Sequence, residues 1–236
     1  MDPREVAGDL ARTLFARSLH QGPRLVASKA KRGGSGGAAP SPDETAAWEA
    51  LRAEALACRK CRLCETRTTV VFGEGSPRAE LMFVGEAPGH DEDLQARPFV
   101  GRAGQLLTQM IEAMGLSRDE VYIGNVLKCR PPENRAPAPD EVESCEPFLL
   151  RQMELVRPKI ICALGNHALR ALTGFTGGIT KVRGRPMELL QWTVVPTFHP
   201  AYLLRNPAAK KDAWEDLKAI LRLLGREVPR RRRSRG

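Results

Sequence analysis

Cys58 and Cys61 form a C-x2-C pair, and Cys129 and Cys145 form a C-x15-C pair far downstream. Four thiolates in two separated pairs can hold a metal ion or an iron–sulfur cluster that staples distant segments together. Spacing alone leaves zinc and a cluster both open, because each accepts four thiolates. Unliganded cysteines are the plainer alternative. Basic residues flank both pairs: Arg59, Lys60 and Arg62 at the first, Lys128 and Arg130 at the second. Cys64 is a third nearby thiol that could exchange with Cys61, whereas Cys162 lies inside an apolar run and reads as a packing residue. Two loops carry further reactive groups: Gly85-Glu86-Ala87-Pro88-Gly89 and His199-Pro200-Ala201-Tyr202.

Those loops need elements to hold them. Leu81–Val84 reads as a short buried strand ending at Gly85, and Val121–Ile123 leads to Asn125. Ile160–Leu164 ends at Gly165, and Val194–Phe198 ends at His199. Helical patterns lie between them, over 104–114 with Leu106, Leu107, Met110, Ile111 and Met114 on one face, over 166–173, and over 208–224. This alternation predicts an α/β fold, a three-layer α/β/α sandwich around a central, mainly parallel four-stranded sheet. In such sheets ligands bind outside the carboxyl ends of the strands. Gly85-Glu86, Asn125, Gly165-Asn166 and His199 all stand at such ends, so one crevice should collect them.

Longer motifs carry a resemblance. They are Cys-Arg-Lys-Cys-Arg-Leu at 58–63, Val-Val-Phe-Gly-Glu-Gly at 70–75, Val-Gly-Glu-Ala-Pro-Gly at 84–89 and Arg-Pro-Phe-Val-Gly at 97–101. Asn-Val-Leu-Lys-Cys-Arg-Pro-Pro at 125–132, Asn-Arg-Ala-Pro at 134–137 and His-Pro-Ala-Tyr-Leu-Leu-Arg-Asn-Pro at 199–207 complete the set. In number and order they resemble the family 4 uracil-DNA glycosylases, the iron–sulfur-containing branch of that superfamily. The resemblance spans about two-thirds of the chain and excludes residues 1–43 and the arginine tail.

It implies a monofunctional glycosylase that flips uracil out of DNA, hydrolyses its N-glycosidic bond and leaves an abasic site for base-excision repair. Cys58, Cys61, Cys129 and Cys145 match the family's ligands, which implies a [4Fe–4S] cluster with a structural role. Phe99 matches the stacking Phe, although a Phe in a polar loop can equally anchor that loop in the core. Asn125 matches the uracil-reading Asn: its amide can donate to O4 and accept from N3–H, while cytosine presents the reverse pattern. A lone Asn at a strand end is otherwise a turn or cap residue. His199 matches the donor to O2, where negative charge develops as the bond breaks.

The water-activating group is left open. Ala87 stands where the best-known branch has a carboxylate, a departure that family 4 shares. Glu86, Glu92 and Asn134 are the candidates, with Glu86 favoured for its place in the loop and Glu92 readable as a solvated helix-start acid. Gly85 could let backbone approach the base closely. Leu203 and Arg205 would enter or brace the DNA after flipping, and the segment 181–185 offers a phosphate contact. Two other readings compete: a covalent uracil-DNA trapping relative, and a catalytically weak iron–sulfur DNA-binding module. The first needs a nucleophilic His in a loop before the last cysteine, and residues 126–145 contain none.

The net charge of +9 is carried by the ends of the chain. Residues 1–42 contribute +4 and residues 226–236 contribute +5, so 43–225 is neutral overall. Basic ends suit attraction to a polyanion such as nucleic acid, although a solvated tail is the plainer reading; the resemblance implies uracil-containing DNA, single- or double-stranded, as the partner. A short amphipathic helix is expected over 3–19 and a Gly-Ser-Ala-Pro linker over 28–42. The extension over 1–42 is a candidate docking segment for a repair or replication protein. The glycosylase domain is expected over 43–225 and a disordered basic tail over 226–236. With no long apolar run, neither a membrane span nor a secretory leader is expected. The chain is expected to be a cytoplasmic monomer.

Overall fold

The computed structural model describes residues 41–229. The expected helix over 3–19, the linker up to residue 40 and the arginine run from 230 onward lie outside the described residues. In chain order the elements are α1 (Pro42–Leu56), β1 (Glu74–Gly75), β2 (Leu81–Gly85), α2 (His90–Gln95), α3 (Arg102–Ala113) and β3 (Tyr122–Asn125). They continue with α4 (Pro139–Val156), β4 (Ile160–Leu164), α5 (Gly165–Thr173), β5 (Met187–Leu189), β6 (Trp192–Thr197), α6 (Pro200–Arg205) and α7 (Lys210–Leu223).

The sheet has strand order β1-β3-β2-β4-β6-β5. Its four central strands β3, β2, β4 and β6 run parallel, and β1 and β5 add antiparallel edges. The sheet is therefore mostly parallel but six-stranded, where four strands were expected. The two extra strands are two and three residues long, too short to carry a periodic pattern. Every residue of β2, β3 and β4 is buried. A strand buried at successive positions is covered on both faces, which is the sandwich arrangement.

Local sequence sets the framing helices. Ser41 caps α1, accepting from Glu44 N at 3.2 Å while the Glu44 carboxylate accepts from Ser41 N at 2.8 Å, and Pro42 occupies the first turn. Helix α4 also starts on a proline and lays Phe148, Leu149, Met153 and Val156 against the interior. Besides the main core around the sheet, a second apolar cluster joins Leu51 and Ala55 of α1 to Leu63, Val70, Phe72, Leu127 and Phe148. Cys129 and Cys145 are part of it, and Cys58, Cys61 and Ala87 pack against it.

Candidate active site

A cavity of about 830 Å³ opens at the carboxyl ends of β2, β3, β4 and β6. Glu86, Ala87, Glu92, Phe99, Asn125, Asn134, His199 and Arg205 all line it. The parallel register explains the meeting: Gly85 pairs with Asn125, and Leu164 pairs with Thr197 two residues before His199.

Asn125 ends β3 at 1% exposure, and its Oδ1 is buried with no hydrogen-bond partner. Leaving a buried acceptor unpaired costs about 1–3 kcal/mol, so an Asn that served as a turn or cap residue would not be left this way. Gly85 lies beside it rather than in the cavity lining. A Cβ there would stand 2.5 Å from Phe99 Cζ and closer still to Asn125 Oδ1. Glycine is thus required for the amide and the ring to sit together. Gly85→Ala should fold but lower the activity of this cavity by about tenfold to a hundredfold, because small misplacements are costly at a reacting site. Wild-type turnover in that variant would show that the Asn125–Phe99 contact is slack.

Phe99 belongs to the core cluster and also lines the cavity. Its backbone is left-handed at φ +54, unusual for a bulky residue. Arg118 holds that conformation by donating to the carbonyls of Phe99 (3.2 Å) and Pro98 (2.8 Å). Arg118 is itself fixed by Glu74 and by the Thr108 hydroxyl. Nothing in the sequence signals that clamp, because its members are far apart and individually ordinary surface types.

His199 caps α6, and its Nδ1 accepts from Ala201 N at 3.1 Å. A ring nitrogen that accepts carries no proton, so Nε2 bears the hydrogen. Burial, with help from the Arg205 charge, lowers its pKa to about 4. The imidazole is therefore a neutral Nε2–H donor near neutral pH. Its ring lies 5.8 Å from that of Phe99, tilted by 35°. Gly165, at φ +90, makes room: a Cβ there would meet His199 Cβ at 3.0 Å.

The three candidates for water activation are bonded very differently. Glu92 Oε1 accepts from Val100 N (2.9 Å) and Gly101 N (3.0 Å), and Oε2 accepts from Gly89 N (3.1 Å). Three amides occupy it, so Glu92 tethers the 85–89 loop to the Phe99 loop and has little acceptor capacity left for a water. It is also not the solvated helix-start acid considered above. Asn134 Oδ1 accepts from Arg130 Nε at 2.8 Å at the exposed rim. Glu86 is half-buried, with Oε1 3.9 Å from His167 Nδ1. Burial raises its pKa and the His167 charge opposes the rise. Ala87 lines the cavity and also rests on the cysteine-bearing cluster.

Two expectations need correction. Leu203 is 1% exposed and lies in the main core, on the inward face of α6, so it does not present itself to DNA. Tyr202 and Arg205 of the same helix are exposed and line the cavity mouth. In the 181–185 segment, Arg183 is not free for phosphate: it pairs with Asp216 (2.6 Å) and Asp212 (3.0 Å) and covers the Phe198 ring at 5.4 Å. Lys181 and Arg185 remain exposed there.

Cys58, Cys61, Cys64, Cys129 and Cys145 surround a second, smaller pocket together with Arg67 and Lys128. Arg67 donates to Cys129 Sγ at 3.1 Å and to the Cys58 carbonyl at 2.7 Å, and Lys128 N donates to Cys145 Sγ at 3.2 Å. Burial pushes the Cys145 thiol up to about 12 and raises Cys129 and Cys61 as well. Among the described residues, no group of three or more His, Cys, Asp or Glu side chains is arranged to hold a single metal ion. Cys162 is fully buried in β4, as a packing residue would be. Among the described residues no helix is long and apolar enough to cross a membrane.

The model of the uracil DNA glycosylase superfamily matches residues 72–218. A type-4 uracil-DNA glycosylase of Sulfurisphaera tokodaii is 50% identical over 184 residues, which cover 74% of this chain and 84% of the relative. One from Archaeoglobus fulgidus is 46% identical over 75% of this chain and 92% of the relative. One from Thermotoga maritima is 52% identical over 63% of this chain and 79% of the relative.

Proposed function

The chain belongs to the uracil-DNA glycosylase superfamily, in its type-4 branch, and on that footing we propose how its residues remove uracil from DNA. The enzyme hydrolyses the N-glycosyl bond and serves DNA repair. The observation that carries the reading is the unpaired, buried Oδ1 of Asn125 beside Phe99 and a tautomer-fixed His199.

A uracil extruded from the stack would lie on Phe99. Asn125 Oδ1 accepts from its N3–H, and Nδ2 donates to O4. Cytosine would set acceptor against acceptor and donor against donor, leaving buried groups unpaired, and such sites reject the wrong partner strongly. His199 Nε2–H donates to O2 as negative charge builds there. Glu86, with acceptor positions that the backbone does not occupy, orients the attacking water. Its raised basicity suits that task better than the thrice-bonded Glu92. No lysine lines the cavity among the described residues, so the strand is left uncut. Tyr202 and Arg205 brace the DNA at the rim in place of Leu203, with Lys181 and Arg185 as phosphate contacts.

Cys58, Cys61, Cys129 and Cys145 would hold a [4Fe–4S] cluster. What supports this is the donor chemistry: these four thiols, with Cys64 as a fifth, surround one pocket, with cationic or N–H donors on two of the sulfurs. Thiolates around a multi-iron cluster stand further apart than those sharing one ion, which fits a site without single-ion spacing. Bound there, the cluster supplies a cross-link. The chain's own part is to bring the segment after α1, the residue after Lys128 and α4 to one point. We place the protein in the cytoplasm, where thiols stay reduced, as a monomeric domain whose N-terminal extension is available to a repair or replication partner.

Chromatographic detection of free uracil tests the function. Release from uracil-containing DNA, and none from the same sequence with cytosine at that position, is expected. Equal release of both bases would sink the Asn125 reading.

The pH dependence follows from the two shifts. His199 in the folded protein titrates near 4, below the ordinary value near 6.5. The unfolded chain takes up that proton first, so this group's contribution to stability, full above pH 6.5, falls away as pH drops toward 4. Uracil release should therefore show no acid limb at 6.5. Any limb above the usual Glu range belongs to Glu86 and should vanish in Glu86→Gln. An acid limb near 6.5 surviving in that variant would mean that His199 titrates unshifted, and activity lost instead as pH rises through 6.5 would mean that it works as an imidazolium.

A further inference from the structure

Lys128 lines the cysteine pocket, where its amide bonds Cys145, and its side chain reaches away toward Asn125. It is 2% exposed. Its ammonium donates to the Asn125 carbonyl at 2.8 Å and to Gln152 Oε1 at 2.6 Å. Its amide donates to Cys145 Sγ at 3.2 Å, and its carbonyl accepts from Val71 N at 2.8 Å. Gln152 lies two turns beyond Cys145 on α4 and donates to the Phe72 carbonyl (2.8 Å) and the Tyr122 hydroxyl (2.9 Å). One buried side chain thus connects the backbone of the base-reading Asn to the helix that carries a cysteine ligand.

Two features make this link more than a structural bond. First, the Asn125 Oδ1 has no protein partner, so the pose of this amide depends on where its backbone is held. Strand pairing to Gly85 holds it on one side, and the Lys128 ammonium holds its carbonyl on the other. Second, both acceptors of the ammonium are neutral oxygens. A buried cation facing only neutral oxygens is unfavourable unless a negative charge lies near it, and Cys145, which bonds the Lys128 amide, and Cys129, the next residue, are the groups placed to carry one. Thiolates bound to iron supply that charge. Losing it would weaken the reason for the ammonium to remain where it is.

We propose that Lys128 is a positioning residue that fixes Asn125 while the cysteine site is loaded, so that loading of that site governs how well uracil is read. This rests on the reading of the cavity and the thiols given above.

The test compares full-length wild type and Lys128→Met, each with and without iron. It reads iron content, amide hydrogen exchange over residues 124–127, and KM and kcat for uracil release. Iron removal from the wild type should raise exchange at those amides and lower kcat by about tenfold or more. Iron-loaded Lys128→Met should reproduce both changes with KM for DNA little altered, and iron removal should then add little, as expected of two changes acting through one link. Full iron with wild-type exchange and kcat in Lys128→Met overturns the proposal. If that variant takes up no iron, Gln152→Met decides by the same readings: raised exchange over 124–127 supports the link, and unchanged exchange overturns it. Iron-loaded wild type that releases no uracil would instead condemn the reading of the cavity. Wild type that never takes up iron would condemn the reading of the thiols.

Discussion

Asn125→Asp is expected to lose uracil release by about a thousandfold or more, because a site built to hydrogen-bond its substrate rejects a mismatched pattern by roughly four to five orders of magnitude. The carboxylate keeps an acceptor for N3–H but turns the donor to O4 into a second acceptor. The variant should also respond to pH in a way the wild type does not. A buried carboxyl with no donors around it has its pKa raised, and the protonated form has one O–H donor and one acceptor, as the amide does. Residual activity should therefore rise as pH falls. The Oδ1 of Asn125 already lacks a partner, so no folded-state hydrogen bond to that atom is lost. Single-turnover release across pH, with circular dichroism to confirm the fold, checks both points. A folded variant with wild-type rates would remove Asn125 as the reader.

His199→Ala is expected to slow release by about a hundredfold to a thousandfold, the usual effect of deleting one donor from an oxyanion site. The loss should fall on kcat, since the charge at O2 appears as the bond breaks. Loss of the cap on α6 should cost on the order of 1 kcal/mol of stability. His199→Asn separates the two effects. Its side chain can keep the cap but cannot easily send a donor as far into the cavity, so it should restore stability and leave kcat low. Recovery of kcat with recovery of stability would mean that His199 acts mainly as a cap.

Much of this site was legible because parallel strands in an α/β sheet place their ends together. Gly85, Asn125, Gly165 and His199 each follow an apolar run, and the register brings those runs side by side. Helix α4 was not legible. Its buried positions include Glu141, Cys145 and Gln152, spaced three and four apart with Phe148, Leu149 and Val156. Polar residues occupy the inward face there, so an apolar pattern is broken although the helical spacing is intact. Those inward polar groups are the ones with work to do: Glu141 accepts from Arg62, Arg135 and Ala138 N, and Gln152 from Lys128. Leu203 misled for the opposite reason. Sequence places it next to exposed Tyr202 and Arg205, but a one-residue step on a helix turns a side chain by about 100°, here into the core. The Glu92 tether and the Arg118 clamp were invisible because both depend on backbone groups of a loop whose path only the fold determines.

The most direct measurement uses an end-labelled oligonucleotide with one uracil, incubated with iron-loaded protein and then treated with alkali. Cleavage at the uracil after alkali, none before it, and cleavage slowed by about a hundredfold or more with His199→Ala is the result expected of a monofunctional glycosylase with this site. An intact strand after alkali, from protein shown to carry iron, would contradict it, as would a slow-migrating covalent adduct in place of the abasic product.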